Sequence, residues 1–143
     1  MPKSVPVLTN ILATGNVTAR CRAADALITA YSHPEVEPMA RTALLNALRD
    51  ADRGPRMAAA AAFQFWDKHL DVVVPALTLA LSDPEPAVRG NAAVSLERFG
   101  SAAKSAVPEL LRLLAATNSY RDKRVADLLL KIDPEAATRA GVK

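Results

Sequence analysis

The sequence is poor in the residues from which disulfide frameworks, metal clusters and aromatic-rich sandwiches are built. It contains one cysteine, five glycines and 4% aromatic residues among 143 positions. Because Cys21 is alone, the chain cannot form an internal disulfide or a cysteine-cluster metal site. Half of the residues are hydrophobic, and alanine and leucine supply most of them, which favours close-packed helices over a β-sandwich. The composition therefore predicts an all-α fold.

Long apolar runs and strong net charge are also missing. No stretch approaches the roughly 20 apolar residues that span a bilayer. Thr9 and Asn10 interrupt the apolar run of Met1–Leu12, and no small-residue cleavage site follows it. The net charge of +3 is too small to keep a chain with this hydrophobic content unfolded. We therefore expect a soluble, cytoplasmic protein with no membrane partner, folded as one domain over residues 1–143.

A leucine pattern recurs along the chain. Val-Pro followed by two leucines begins at residues 5, 74 and 107, and a fourth copy near residue 41 keeps the leucines without the Val-Pro. The equivalent first leucines are Leu8, Leu44, Leu77 and Leu110. They are 36, 33 and 33 residues apart, a period typical of helical solenoids.

A second pattern repeats with the same offsets. The equivalent positions are Leu27, Phe63, Leu96 and Leu129, followed three residues later by Ala30, Trp66, Phe99 and Ile132. Together with paired small residues before them, these positions trace one helical face, so each unit is predicted to be a pair of amphipathic helices. The predicted units span residues 4–33, 34–70, 71–103 and 104–136, with a short tail at 137–143. Trp66 is expected in the core.

Prolines support these boundaries. Pro6, Pro75 and Pro108 are predicted near the starts of the first helices, where proline is tolerated. In this interpretation none of the ten prolines interrupts a helix.

The third unit resembles the repeat of a known family. The segment from Ser82 to Leu96, followed by Phe99 and Gly100, is similar to a HEAT-like repeat of the short type also found in phycobilisome lyases. The resemblance covers nearly the whole chain and is weakest in the second unit, where Gly54-Pro55-Arg56 replaces Ala87-Val88-Arg89. It implies a right-handed α-solenoid of four helix pairs, with the second helices on the concave side. It does not imply a reaction.

Charged residues also keep the repeat register. Arg20, Arg56 and Arg89 share one position, and Asp50 and Asp83 share another. One interpretation is a charged binding ladder, but the resemblance implies that these residues bond between neighbouring units. Paired charges at a half-buried seam would satisfy one another. The fourth unit has Asp122 in the arginine position beside Arg121, so we expect the ladder to be broken there.

No residue pattern points to catalysis. His33 and His69 lack a second histidine or cysteine at ligand spacing, so no metal site is predicted. Cys21 has no partnered histidine and is not expected to act as a nucleophile. A glycine-rich phosphate loop and a Gly-x-Ser-x-Gly elbow are both missing. We expect no catalytic, metal-binding or cofactor-binding residue, and a protein that is not an enzyme.

The outward face of the second helices is the predicted binding surface. Phe65 occupies a position that the sister units fill with Thr29, Arg98 and Lys131, so the repeat pattern does not explain it. An exposed aromatic residue is a plausible anchor for a partner. The alternative is that Phe65 folds back beside Trp66 or under a loop. The candidate partner-binding residues are Phe65, Ala61, Val94, Arg98, Arg124 and Lys131.

Charge is unevenly distributed along the chain. From Arg98 onward there are nine lysines and arginines against five acidic residues, whereas the preceding part has nine against ten. Arg121, Lys123, Arg124 and Lys131 could meet nucleic-acid phosphate or an acidic protein segment, or form an ordinary solvated face.

These patterns favour non-catalytic binding of a protein or peptide, acidic or amphipathic, in the concave groove. Nucleic-acid binding through the basic C-terminal unit is one alternative. An accessory subunit of an enzyme, such as a bilin lyase-like complex, is another. Leu8, Ile11 and Leu12 have no preceding unit to cover them, which leaves association with another copy open.

Overall fold

Helices form in consecutive pairs along the chain, as the repeat predicts. The computed structural model describes residues 2–116 and 119–143, with the side chains of residues 2–116 and 123–143. In this part of the chain the helices are α1 (Val5–Thr14), α2 (Val17–Ala26), α3 (Glu37–Ala47), α4 (Arg53–Ala62), α5 (Leu70–Ala80), α6 (Pro86–Phe99), α7 (Val107–Ala115), α8 (Ser119–Ile132) and α9 (Pro134–Arg139). Short 3-10 segments lie at Pro2–Ser4, Leu27–Ser32, Phe63–Phe65 and Gly100–Ala106. The described residues contain no strand.

The helices stack in two layers. The second helices α2, α4, α6 and α8 each pack on the next one, whereas among the first helices only α1 and α3 pack together extensively. Closer packing within one layer than within the other curves the stack towards the more closely packed layer. The second helices therefore form the inner, concave layer of an α-solenoid.

Side-chain hydrogen bonds stabilise the turns that join the two helices of a pair. Asn16 precedes α2, and its side chain accepts a hydrogen bond from the Ala19 N–H at 2.9 Å. Asp83 lies before α6 and accepts from the Glu85 N–H at 2.9 Å, and Asp50 holds the equivalent turn before α4 in the same way. These turns fix the aspartates at the edge between adjacent pairs.

The core follows the repeat register. Leu44, Leu77 and Leu110 are fully buried in the first helices. The second set is buried to the same degree, at Leu27, Phe63, Leu96 and Leu129. Trp66 is buried as predicted, and its ring meets Phe63 edge to face with the centroids 5.5 Å apart.

The prediction that Pro75 lies near a helix start and interrupts no helix was wrong. Helix α5 begins at Leu70, so Pro75 lies inside it rather than near its start. A proline in a helix interior costs about 3 kcal/mol because it cannot donate its hydrogen bond and crowds the preceding turn. Val73 and Val74 are buried one turn before Leu77, and this burial offsets that cost. The ring of Pro75 lies on the exposed side of the helix.

The two ends of the stack differ. Leu8 and Ile11 are only half-buried and line an open groove of about 520 Å³ at the N-terminal end. At the other end α9 packs on α8 and buries Ala136 and Ala137. Among the described residues, no helix has the length and apolar character required to traverse a lipid bilayer.

Candidate functional site

Repeated hydrogen bonds join the exposed sides of the inner helices. We call the exposed side of α4, α6 and α8, together with Phe65, the inner surface. Asn91 Nδ2 donates to the Met57 carbonyl at 3.1 Å, and Arg98 Nε donates to the Gln64 carbonyl at 2.9 Å. Between these two bonds, the buried Ser95 hydroxyl donates to the Ala60 carbonyl at 2.7 Å. Helix α6 is thereby fixed along the length of α4.

The next seam uses the same positions 33 residues later. Arg124 Nη2 donates to the Gly90 carbonyl at 3.2 Å, which repeats the bond made by Asn91. Lys131 pairs with Glu97, which repeats the position of Arg98. The basic residues predicted to orient a partner are therefore also bonded to the preceding repeat.

Phe65 lies open on the inner surface. Helix α4 ends at Ala62, and the 3-10 segment that follows places Phe63 in the core and leaves Phe65 44% exposed. The Arg98 guanidinium lies over the Phe65 ring, 5.9 Å from its centroid. This exposure contradicts the alternative in which Phe65 folds back beside Trp66 or under a loop.

Four of the six candidate residues lie together. Ala61 and Val94 are half-buried on adjacent helices, between the two hydrogen bonds that join α4 to α6, and Phe65 and Arg98 stack beside them. Arg124 and Lys131 lie one helix further, on α8. Met57, which is not among the six predicted residues, is 41% exposed on α4 and extends the apolar part of this surface.

Arginine and aspartate join the turns at the edge of the inner layer. Arg20 donates through Nε and Nη2 to both carboxylate oxygens of Asp50, at 2.9 and 3.0 Å. Arg56 does the same to Asp83, at 2.9 and 3.1 Å. These hydrogen bonds raise the pKa of Arg20 and of Arg56 above the ordinary arginine value. Both pairs link neighbouring units, as the family resemblance implies.

Arg89 departs from that expectation. Its Nη1 donates to the carbonyls of Asp83 and Pro84, at 2.8 and 3.0 Å, which lie in the turn of its own unit. No carboxylate within the described part of the chain bonds to it. The position equivalent to Asp50 and Asp83 is Ala116 in the fourth unit. The side chains of Arg121 and Asp122, which were expected to break the ladder, lie outside the described residues.

Cys21 and His69 each lie against residues of a neighbouring helix. Cys21 Sγ lies so close to Gly54 that a Cβ at that glycine would be 2.6 Å away, so α2 and α4 meet closely there. His69 Nε2 lies 3.6 Å from a carboxylate oxygen of the buried Glu37, which also accepts from Arg41 at 2.8 Å. Over the residues with described side chains, no group of three or more His, Cys, Asp or Glu could hold a metal ion.

Part of the chain matches a known protein family. A family model described as HEAT repeats matches residues 41–131, which covers three of the four helix pairs in large part. The match is to HEAT repeats in general and does not single out the phycobilisome-lyase type. No curated protein matches the chain.

Proposed function

The chain belongs to the HEAT-repeat family, whose members are generally protein-interaction scaffolds and typically non-enzymatic, and from this premise we propose that it binds a segment of another protein on the inner surface around Phe65. One observation carries this proposal. Phe65 is 44% exposed at a register position where the next two repeats hold Arg98 and Lys131. Aromatic residues and arginine supply much of the energy at protein interfaces.

The surroundings of Phe65 favour binding because they are already ordered. Arg98 is fixed by its bond to the Gln64 carbonyl, and it holds the Phe65 ring from one side. A side chain that is fixed before binding loses less conformational entropy on association. Met57 and Val94 extend the apolar area, so an aliphatic or aromatic side chain of the partner can cover Phe65.

Charge indicates the partner's polar character. Arg98 and Arg124 each donate a hydrogen bond to a neighbouring carbonyl, and both remain exposed at the surface. Lys131 is paired with Glu97. An amphipathic segment with an apolar anchor and an acidic residue would match this arrangement, since complementary charge steers association and fixes orientation.

The test is affinity capture with a matched control. Phe65→Glu places a charge at the centre of the surface, whereas Leu79→Glu places one on the outer helix α5, where Leu79 is 65% exposed. We expect one set of proteins to be retained by the wild type and by Leu79→Glu, and to be lost with Phe65→Glu. Truncating such an anchor typically weakens binding by about 30-fold or more.

Other outcomes would overturn the proposal. Nucleic acid retained by both the wild type and Phe65→Glu, and released by nuclease or moderate salt, would favour binding through the basic C-terminal unit. A purified protein that carries a coloured bilin would favour the accessory-subunit alternative. Equal retention of proteins by Phe65→Glu and Leu79→Glu would place the contact elsewhere.

A further inference from the structure

A cleft lies in the seam between α6 and α8. It has a volume of about 140 Å³, and Leu113, Val125 and Leu128 give it an apolar lining. Arg89 and Arg124 complete its wall. The cleft therefore combines an apolar interior with positive charge.

Arg89 shares with Arg56 the hydrogen bonds that Nη1 donates to the turn of its own unit. Arg56 donates through Nη1 to two carbonyls of its own turn, those of Asp50 and Ala51, and Arg89 makes the same pair of bonds to Asp83 and Pro84. In Arg20 and Arg56 the other edge of the guanidinium, formed by Nε and Nη2, donates two hydrogen bonds to a carboxylate of the next unit. In Arg89 that edge makes no hydrogen bond to any residue whose side chain the structure describes.

The missing carboxylate has a simple cause. Asp50 and Asp83 each lie two residues after a buried leucine at the end of a first helix. The fourth unit keeps that leucine as Leu114 but has Ala116 where the aspartate would be. The guanidinium is thus positioned for a carboxylate that no described side chain of this unit provides.

We propose that Arg89 and Arg124 form a binding site for an acidic side chain of a partner protein, with an adjacent aliphatic side chain of the partner in the cleft. The partner's carboxylate takes the place on Arg89 that Asp83 takes on Arg56. A bidentate carboxylate contact with arginine is charge-assisted and strongly directional. Because the Nη1 bonds already fix Arg89, little further ordering is needed when the carboxylate binds.

This inference deepens the proposed function and rests on it for the choice of a protein as partner. The cleft itself does not include Phe65. The two proposals therefore fail in different experiments, since a direct probe of the cleft needs no other protein.

The probe is a capped peptide with the chain's own residues 79–84, which carries Leu81 followed two residues later by Asp83. Its matched control is the same peptide with asparagine in place of the aspartate. Binding is followed by NMR through the backbone amide shifts of Gly90 and Ala93, which line the cleft. We expect saturable shifts with the aspartate peptide and at least tenfold weaker binding of the asparagine peptide.

Three variants complete the experiment. Arg89→Gln should weaken binding at least tenfold. Ala116→Asp should do the same by supplying the missing carboxylate from within, and its raised unfolding midpoint would show that the new pair has formed. Phe65→Glu should leave peptide binding unchanged. No saturable shift in the wild type, equal binding of the two peptides, or undiminished binding by Ala116→Asp would overturn the proposal.

Discussion

Replacing Asp83 with alanine removes the carboxylate that joins the second helix pair to the third. Three hydrogen bonds are lost, two from Arg56 at 2.9 and 3.1 Å and one from the Glu85 N–H at 2.9 Å. The Arg56 guanidinium stays in place through its bonds to the Asp50 and Ala51 carbonyls, so its charge loses the one carboxylate to which it is hydrogen-bonded. The perturbation therefore removes one inter-repeat ion pair together with one hydrogen bond of the turn before α6.

The expected cost follows from burial. The side chains of Asp83 and Arg56 are only 9% and 14% exposed, so water screens the pair poorly. A hydrogen bond to a charged group contributes about 1.5–3 kcal/mol, and breaking a buried pair costs about 3–5 kcal/mol. For this half-buried pair we expect Asp83→Ala to lower the free energy of unfolding by about 2–4 kcal/mol. That is a large share of the roughly 5–15 kcal/mol typical of a domain.

The control is a neighbouring pair at the surface. Arg53 Nη1 lies 3.3 Å from Glu85, but the Arg53 side chain is 77% exposed. An exposed pair of this kind contributes about 0–1 kcal/mol, so Arg53→Ala should change stability little. Combining Asp83→Ala with Arg56→Met should cost about 1–3 kcal/mol less than the sum of the two single variants.

Urea unfolding measures these differences. Trp66 is the only tryptophan and is buried in the core, so its fluorescence reports tertiary packing, while circular dichroism reports helix content. Coincident transitions justify a two-state treatment, which repeat arrays do not always satisfy. If Asp83→Ala falls within about 0.5 kcal/mol of Arg53→Ala, the argument from burial is refuted.

Three further predictions use contacts elsewhere in the chain. Gly54→Ala should destabilise the fold by about 1–3 kcal/mol because its Cβ would lie 2.6 Å from Cys21 Sγ. The loss should largely disappear in a Cys21→Ala background, and the urea midpoints of the wild type, the two single variants and the double variant test this. Ser95→Ala should cost about 1–2 kcal/mol because the lost bond to the Ala60 carbonyl is buried, whereas Asn91→Ala, at the more open bond to Met57, should cost about 0.5 kcal/mol or less in the same assay. Asp133 caps α9, and the hydrogen bond from the Ala136 N–H lowers the pKa of its carboxyl below the ordinary 3.8. Its stabilising contribution is therefore complete above pH 3.8 and is lost as the pH falls through the lower folded pKa, so thermal midpoints should fall less for Asp133→Asn than for the wild type between about pH 5 and about pH 2.

Periodicity made most of the fold predictable. The spacing of Leu44, Leu77 and Leu110 identified buried positions because a helix that packs on its neighbours must repeat its apolar face. The same register identified Trp66 as a core residue. The proline pattern was a poorer guide, because Pro75 lies inside α5, where the burial of Val73 and Val74 outweighs the local preference of proline for a helix start.

The candidate site was less accessible from sequence. Register alone showed that Phe65 is unusual, and the structure places it on the inner surface. The carbonyl partners of Arg98 and Arg124 could not be predicted, because every residue carries a carbonyl and only packing decides which one faces a donor. The open edge of Arg89 did leave a signal, since Ala116 stands in the register of Asp50 and Asp83.

Because Arg89 bonds to no described carboxylate, the helix pairs are not all expected to unfold together. In a repeat protein each unit is stabilised by its own helices and by its contacts with nearest neighbours. The first two seams carry the Arg20 and Arg56 ion pairs, whereas the polar contacts between described side chains in the third are exposed bonds such as those of Arg124 and Lys131. Opening should therefore begin at the C-terminal unit, and the amides of α7 should exchange with solvent deuterium before those of α3. The fourth helix pair would thus detach and re-dock while the other three remain folded.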